Sequence, residues 1–426
     1  MTKTSSSSLT KGSMGTQVYR RKTCRLCDAS DITLVLQLTP TPPVDAFVPN
    51  SRLTELQELY PIDVFLCNDC GHVQLLDVVN PKLLFGDYIY LTSSSPGLVE
   101  HFRRYADDIL KFVDPAPNSL VVEIGSNDGT LLNFFKERKM RVLGVDPASG
   151  IAQTATRQGL LTLPHFFTSH LAKDIEQEHG PATIVCANNV FAHADDLADM
   201  AEGVRQLLAP NGFFVFEVSY LLDMINGMVF DFIYHEHLCY HSVKPLQRFL
   251  RKHGMELFNV TSVPTHGGSI RVFAQLLNGS RKLNPSVVQM LQQEAKAGLD
   301  RPEIFKIYTA KIDKVRHVIS HLIADLKARG KTIAGYGASA TTTVLTYHFN
   351  LGEKLSFLID DNPAKQRLYS PGHHIPVLPS ENIYKQKPDY ILVLAWRFSD
   401  MIMEKHRTYL AQGGHFIVPL PELRSF

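Results

Sequence analysis

Leu120-Val-Val-Glu-Ile-Gly-Ser-Asn-Asp-Gly-Thr-Leu-Leu132 narrows what this chain can become more than any other stretch. An apolar run ends in an acid, passes a glycine turn and resumes as a second apolar run, which reads as strand, tight turn, helix. A strand apolar without alternation is one covered on both faces of a parallel sheet. Gly125 lacks the Cβ that would keep a ligand off the backbone, and the next helix opens with free amide groups. Arg141-Val-Leu-Gly-Val-Asp146 repeats the pattern and places an acid where ribose hydroxyls can donate to it. The G-x-G-x-x-G fingerprint that cradles a dinucleotide pyrophosphate is absent from this turn.

A single close-approach glycine after a strand-end Glu resembles the first motif of class I methyltransferases, whose S-adenosylmethionine has no pyrophosphate. The resemblance implies cofactor contacts at Glu123, Gly125 and Asp146. A valine at position 125 should then put methyl groups where the cofactor must approach. Further apolar runs follow at Leu160–Leu163, Pro181–Ala187 and Gly212–Glu217, and Gly267-Gly-Ser-Ile-Arg-Val-Phe273 gives a last strand. Strands separated by helical segments predict an α/β chain with a doubly wound sheet and its ligand at the carboxyl ends of the strands. Asn188, Asn189 and His193 follow one strand directly and belong to that rim. Phe166 and Phe167 follow another, where they either sandwich an adenine or fill the core. Leu98, Phe102, Tyr105, Ile109 and Phe112 recur at helical spacing and should cover the sheet.

At 426 residues the chain exceeds one ordinary domain. Its formal charge of +1 leaves no basic field for nucleic acid. No apolar run reaches the roughly 20 residues that span a bilayer, and the Ser-rich N-terminus lacks a signal-peptide core. We therefore expect a cytoplasmic protein with no membrane or nucleic-acid partner, and a disordered segment over 1–19.

Four of the six cysteines form two C-x-x-C pairs, Cys24/Cys27 and Cys67/Cys70. In a reducing compartment disulfides are disfavoured, and two such pairs can give four thiolates to one tetrahedral zinc. That site leaves no open position, so the zinc is expected to be structural. Cys186 and Cys239 read as buried. The segment 20–90 is a small zinc-binding domain, with short strands such as Ile62–Leu66 between its prolines.

Asp231-Phe-Ile-Tyr-His-Glu-His-Leu-Cys-Tyr240 is too polar for a core. His235 and His237 are two apart, whereas a helical zinc pair needs a spacing of four. Acid–base chemistry is the better fit, since imidazole titrates near 6.5. In an extended segment both rings would face one side, so spacing does not choose between them. The loop Asp87–Pro96, with Tyr88 and Tyr90, either lies over a pocket or packs a domain seam.

Taken in order, the four-cysteine head, Glu123–Gly129, Tyr234-His-Glu-His237, Gly267-Gly-Ser-Ile-Arg271 and the tail resemble sugar C-methyltransferases of branched deoxysugar biosynthesis, from about Cys24 to the C-terminus. The resemblance implies a substrate linked to dTDP or GDP, a 4-keto-6-deoxysugar methylated at C3 in the best-known members, with His237 as base. Tyr234, Glu236, His193 and Tyr88 or Tyr90 would line the sugar site. A C–H beside a ketone is acidic only if the enolate oxygen is stabilised, so such a site needs one base and at least one donor.

Phe305, Tyr308, Ile312, Val315, Ile319, Leu322 and Leu326 predict a long amphipathic helix packing between domains and ending at Gly330. Beyond it Lys331–Ala340 and Leu355–Asp361 form a second strand-turn-helix unit, the start of a Rossmann-like domain over 281–426. The methyltransferase domain occupies 91–280 between head and tail. Gly335, Gly337 and Ala340 imitate an NAD fingerprint; in the resembling family this module helps hold the nucleotide sugar. Tyr336, Asp361, Lys365 and Trp396 are its rim candidates, and Arg271 is a further substrate-binding candidate. Two rivals stay open, an O- or N-methyltransferase of a sugar or small metabolite and an NAD-dependent oxidoreductase. A noncatalytic zinc-headed adaptor is a third. Oligomeric state is not legible.

Overall fold

The computed structural model describes residues 17–85 and 91–426; Tyr88, Tyr90 and residues 1–16 lie outside the described residues. The segment expected to be disordered up to 19 is ordered at its end, where β1 (Val18–Arg20) pairs antiparallel with β5 (Asp77–Val79). In the head, β2 (Ile32–Leu36), β3 (Val64–Cys67) and β4 (Val73–Leu75) form an antiparallel sheet.

The helix Pro96–Val113 follows the expected period, burying Phe102, Tyr105 and Ile109 against Val121, Ile184, Val215 and Phe273. These lie on the central sheet. Its strands are β6 (Leu120–Ile124), β7 (Arg141–Val145), β8 (Thr162–Leu163), β9 (Ala182–Cys186) and β10 (Leu208–Ser219), all parallel. The chain then leaves the sheet for β11 (Cys239–Tyr240) and returns as β12 (Met255–Val263) and β13 (Ser269–Leu276). The order is β12-β13-β10-β9-β6-β7-β8. The run Gly267–Phe273 is the last strand in sequence but an inner one in space, antiparallel to both neighbours. The edge strand β12 was missed from sequence. Its polar Asn259, Thr261 and Ser262 interrupt the apolar run that marks a buried strand.

β11 does not join this sheet. It pairs with β4 and becomes the fourth strand of the head's sheet. The His-rich stretch thus ends inside the zinc-binding head.

In the tail, the helix Pro302–Ala328 buries Phe305, Tyr308, Ile312, Ile319 and Leu326, with Gly330 just beyond its end at φ +73°. It packs between domains as expected: the Tyr308 hydroxyl donates to the Met224 carbonyl at 3.2 Å, and the Thr309 hydroxyl reaches the Val35 carbonyl. β14 (Ile333–Tyr336), β15 (Leu358–Ile359), β16 (Val377–Leu378), β17 (Tyr390–Val393) and β18 (His415–Val418) are parallel, and β19 (Arg424–Ser425) closes the edge antiparallel. Val48 and Tyr369 exchange backbone hydrogen bonds of 2.9 and 3.1 Å, tying head to tail. Among the described residues no helix is long and apolar enough to cross a membrane.

Candidate active site

The four head sulfurs gather as the two pairs required. Sγ of Cys24 and Cys70 lie 3.7 Å apart and Sγ of Cys27 and Cys67 3.5 Å, with all four within 4.8 Å of one another. Tetrahedral zinc with bonds of about 2.3 Å places its sulfurs roughly 3.8 Å apart. The cluster fits that ion, and Gly71 at φ +80° makes the second knuckle. Cys186 and Cys239 are buried and are not part of the four-sulfur cluster.

At the carboxyl edge of the central sheet, Gly125 has φ +71°. A Cβ there would overlap the Val190 side chain. This corrects the expected meaning of a valine at 125: it would strain the backbone and collide with the next loop whether or not a cofactor approaches. Asp146 receives the Asn127 amide at 2.8 Å and the Ala148 amide at 2.9 Å, so it shapes the turn while each oxygen retains a lone pair. Glu123 is buried with Oε2 unpartnered, and burial pushes its carboxyl well above the usual range. Asn188 Oδ1 accepts the Glu217 amide at 3.1 Å, leaving a buried Nδ2 without a partner. An orphaned acceptor at the end of β6 and an orphaned donor just past the end of β9 lie along one edge of the sheet and fit a polar cofactor such as S-adenosylmethionine. Phe167 is core, packed where a side chain at Gly203 would stand, whereas Phe166 is 46% exposed beyond β8. The turn is also moored from outside, since Asn127 Oδ1 accepts the Thr92 amide and Asp128 Oδ2 the Ser93 amide, both at 2.9 Å.

The His-rich stretch is a turn, not the extended segment expected. Phe230–Phe232 form one helical turn, and the His237 amide closes back on the Tyr234 carbonyl at 2.9 Å. The two histidines consequently part. His235 Nε2 lies 3.1 Å from the Tyr60 carbonyl in the head. His237 Nδ1 lies 2.7 Å from the Phe232 carbonyl. A carbonyl only accepts, so Nδ1 carries the proton and Nε2 keeps its lone pair. The His237 ring centroid is 4.1 Å from that of Tyr234 and 5.1 Å from that of His193. Burial lowers His237 to about 4, the Phe232 carbonyl opposing and His266 adding to the effect. His193 is driven well below its ordinary value by burial and by its His237 and His266 neighbours.

Sequence reading did not select His266. It sits at φ +56° before Gly267 and Gly268, its Nε2 is buried without a partner, and its ring is 5.7 Å from Phe232. Only the preceding proline and following glycines hinted at a strained loop.

Glu236, between the histidines, faces the seam of all three parts. Burial first, then Asp45, raise it to about 8, while Lys365 opposes. Lys365 Nζ lies 3.0 Å from Asp45 Oδ1 and donates to the Ala338 carbonyl at 2.9 Å, which brings it to the site from the tail. Tyr336 and Asp361 belong to a cluster of their own on the tail: the Tyr336 hydroxyl is 3.0 Å from Asp361 Oδ2 and 3.2 Å from His406 Nε2. Packing accounts for the tail glycines, because a Cβ on Gly337 would come within 2.9 Å of the Ala395 nitrogen and one on Gly335 would strike Leu358. The strand-end Asp360 accepts the Ala338 amide at 2.7 Å and the Asn362 amide at 2.8 Å, so it shapes its turn as Asp146 does. Trp396 is 8% exposed with its N–H on Asp231 Oδ2 at 2.9 Å, so it offers no open face for stacking. Arg271 is buried in a network, 2.7 Å from Glu217 Oε1, with His101 Nε2 2.7 Å from Glu217 Oε2. A free substrate-facing guanidinium is not what the fold provides there.

Three family models divide the chain between them: a zinc binding domain at 24–85, a methyltransferase domain at 99–260 and a C-methyltransferase C-terminal domain at 264–421. Over 402 residues the chain is 35% identical to the C-methyltransferase NovU of Streptomyces niveus, covering 94% of this chain and 96% of that one. This chain belongs to the C-methyltransferase family. Among solved structures it is similar to the magnesium protoporphyrin IX methyltransferase ChlM of Synechocystis PCC 6803 with bound SAM (14% identity, 45% of this chain and 88% of that one, TM-score 0.32). It is also similar to the CcbJ methyltransferase of Streptomyces caelestis (14% identity, 41% and 89%, TM-score 0.33). By its family models and its likeness to NovU this chain is an S-adenosylmethionine-dependent C-methyltransferase with a class I methyltransferase core, a zinc-binding head before it and a Rossmann-like tail after it.

Proposed function

We propose that this C-methyltransferase alkylates the carbon beside the ketone of a nucleotide-linked 4-keto-6-deoxysugar, at C3, with His237 as base. One observation carries the reading. The Phe232 carbonyl holds the proton on Nδ1, so a part-buried, neutral imidazole presents an unprotonated Nε2 beside Tyr234 and His193. Transfer to oxygen or nitrogen has no need of a carbon-acid base; this arrangement supplies one.

The chemistry follows from the residues. His237 Nε2 takes the α-proton while Tyr234 and His193 hydrogen-bond the oxygen that becomes the enolate. Glu236, raised to about 8, keeps its proton near neutrality and can donate to a sugar oxygen. A base lowered to about 4 is weak at rest, yet the anion forming beside it stabilises the imidazolium in a site of low dielectric. S-adenosylmethionine supplies an electrophilic methyl group, and Glu123, Gly125, Asp146, Asn188 and Phe166 are the residues to hold it. Lys365, Tyr336 and Asp361 are the tail's contacts for a dTDP or GDP carrier. The division 20–90, 91–280 and 281–426 and a cytosolic setting, where the thiols stay reduced for zinc, go with this reading.

The test is solvent exchange. Incubated in deuterated water with dTDP-4-keto-6-deoxyglucose and no methyl donor, the protein should wash deuterium into the carbon beside the ketone. Methylation at oxygen with no such exchange would defeat the proposal.

A further inference from the structure

The turn that fixes the His237 imidazole is gripped by the tail at each of its three residues. The Phe230 ring packs edge-on against His348 and Phe349, with centroids 5.6 and 5.8 Å away. Asp231, fully buried, accepts the Trp396 indole N–H at 2.9 Å and the Arg397 guanidinium at 3.0 and 3.2 Å. The Phe232 ring has the Arg397 guanidinium 4.9 Å above it and stacks on His237 at 5.4 Å. Phe232 is also the residue whose carbonyl holds His237 Nδ1. Burying Asp231 without donors would be costly, so its two partners dictate where this turn can sit.

We propose that Trp396 and Arg397 are positioning residues for the catalytic base: by holding Asp231 and Phe232 they set the carbonyl that selects the His237 tautomer. The tail therefore has a part in catalysis apart from any contact with the nucleotide. Neither residue needs to touch substrate. An imidazole released from the carbonyl would exchange tautomers and swing, and a misplacement of about 1 Å can cost on the order of a hundredfold in rate. The inference rests on the reading of His237 as base, but its structural half can be measured without any substrate.

The experiment uses the full-length protein with Trp396→Phe and Arg397→Lys, each alone and combined. Trp396→Phe removes one donor and little volume; Arg397→Lys keeps the charge and loses the planar guanidinium that lies over the Phe232 ring. Nitrogen-15 NMR of labelled histidine should show His237 protonated at Nδ1 in the parent and a mixture of tautomers in the variants. With dTDP-4-keto-6-deoxyglucose, kcat and the rate of α-proton exchange should fall together by about ten- to a hundredfold, with KM and S-adenosylmethionine binding within twofold. Singles that fold, keep the Nδ1 tautomer and turn over at the parental kcat would overturn the proposal. The His237→Asn protein, run alongside, separates the two ideas. If it methylates normally the base assignment is wrong, while the NMR result still decides whether the tail sets the imidazole.

Discussion

His235 and His237 stand two positions apart and face different partners, Nε2 of the first toward the Tyr60 carbonyl at 3.1 Å and Nδ1 of the second toward the Phe232 carbonyl at 2.7 Å. His237→Asn should lose roughly a hundred- to ten-thousandfold in methylation rate and stop exchanging the α-proton, with S-adenosylmethionine binding intact by calorimetry. His235→Asn should keep near-parental kcat and lose about 1 kcal/mol of stability with its bond to the head. Dead His235→Asn beside an active His237→Asn would reverse the assignment.

The pH profile is a second check. His237 is lowered to about 4 by burial, so the free enzyme holds it neutral down to that region. The acid limb of kcat/KM assigned to this group should fall well below the ordinary 6.5. A limb at 6.5 that vanishes in His237→Asn would show an imidazole in contact with water.

Glu236 predicts a stability difference with a definite sign. Its folded value is raised to about 8 against 4.5 for the free side chain. Below 4.5 both states hold the proton; between 4.5 and 8 only the folded state does, so its contribution to stability is lost as pH rises through that window. Glu236→Gln removes the titration. The melting temperature of Glu236→Gln minus that of the parent should therefore increase from pH 5 to pH 8, and a flat difference would place Glu236 in water.

Zinc should be found at one ion per chain on Cys24, Cys27, Cys67 and Cys70. Cys67→Ser should lose it, lower the melting temperature and loosen β11, because that strand is built onto the head's sheet. Activity should fall with the metal although no thiolate meets the substrate. Retention of zinc by a Cys24/Cys67 double replacement would rule the site out.

For the cofactor, Glu123→Gln tests the buried, unpartnered oxygen without the backbone strain that confounds any change at Gly125. S-adenosylmethionine affinity should weaken by about tenfold, the upper end of what one hydrogen bond contributes. Unchanged affinity would put the cofactor's polar groups elsewhere.

Local patterns made much of this protein legible from its residues. Two C-x-x-C pairs, an apolar strand ending in Glu123 and Gly125, and the 3.6-residue period of Pro96–Val113 each depend on near neighbours in the chain. What sequence could not decide are the facts that need distant segments to meet. His235 and His237 look equivalent until a turn sends one to Tyr60 and the other to Phe232. Trp396 looks like a stacking surface until Asp231, 165 positions away, takes its N–H. Arg271 looks free until Glu217 and Asp108 claim it. Buried polar groups must find partners, and which partners they find is set by how sheets and helices pack rather than by spacing along the chain.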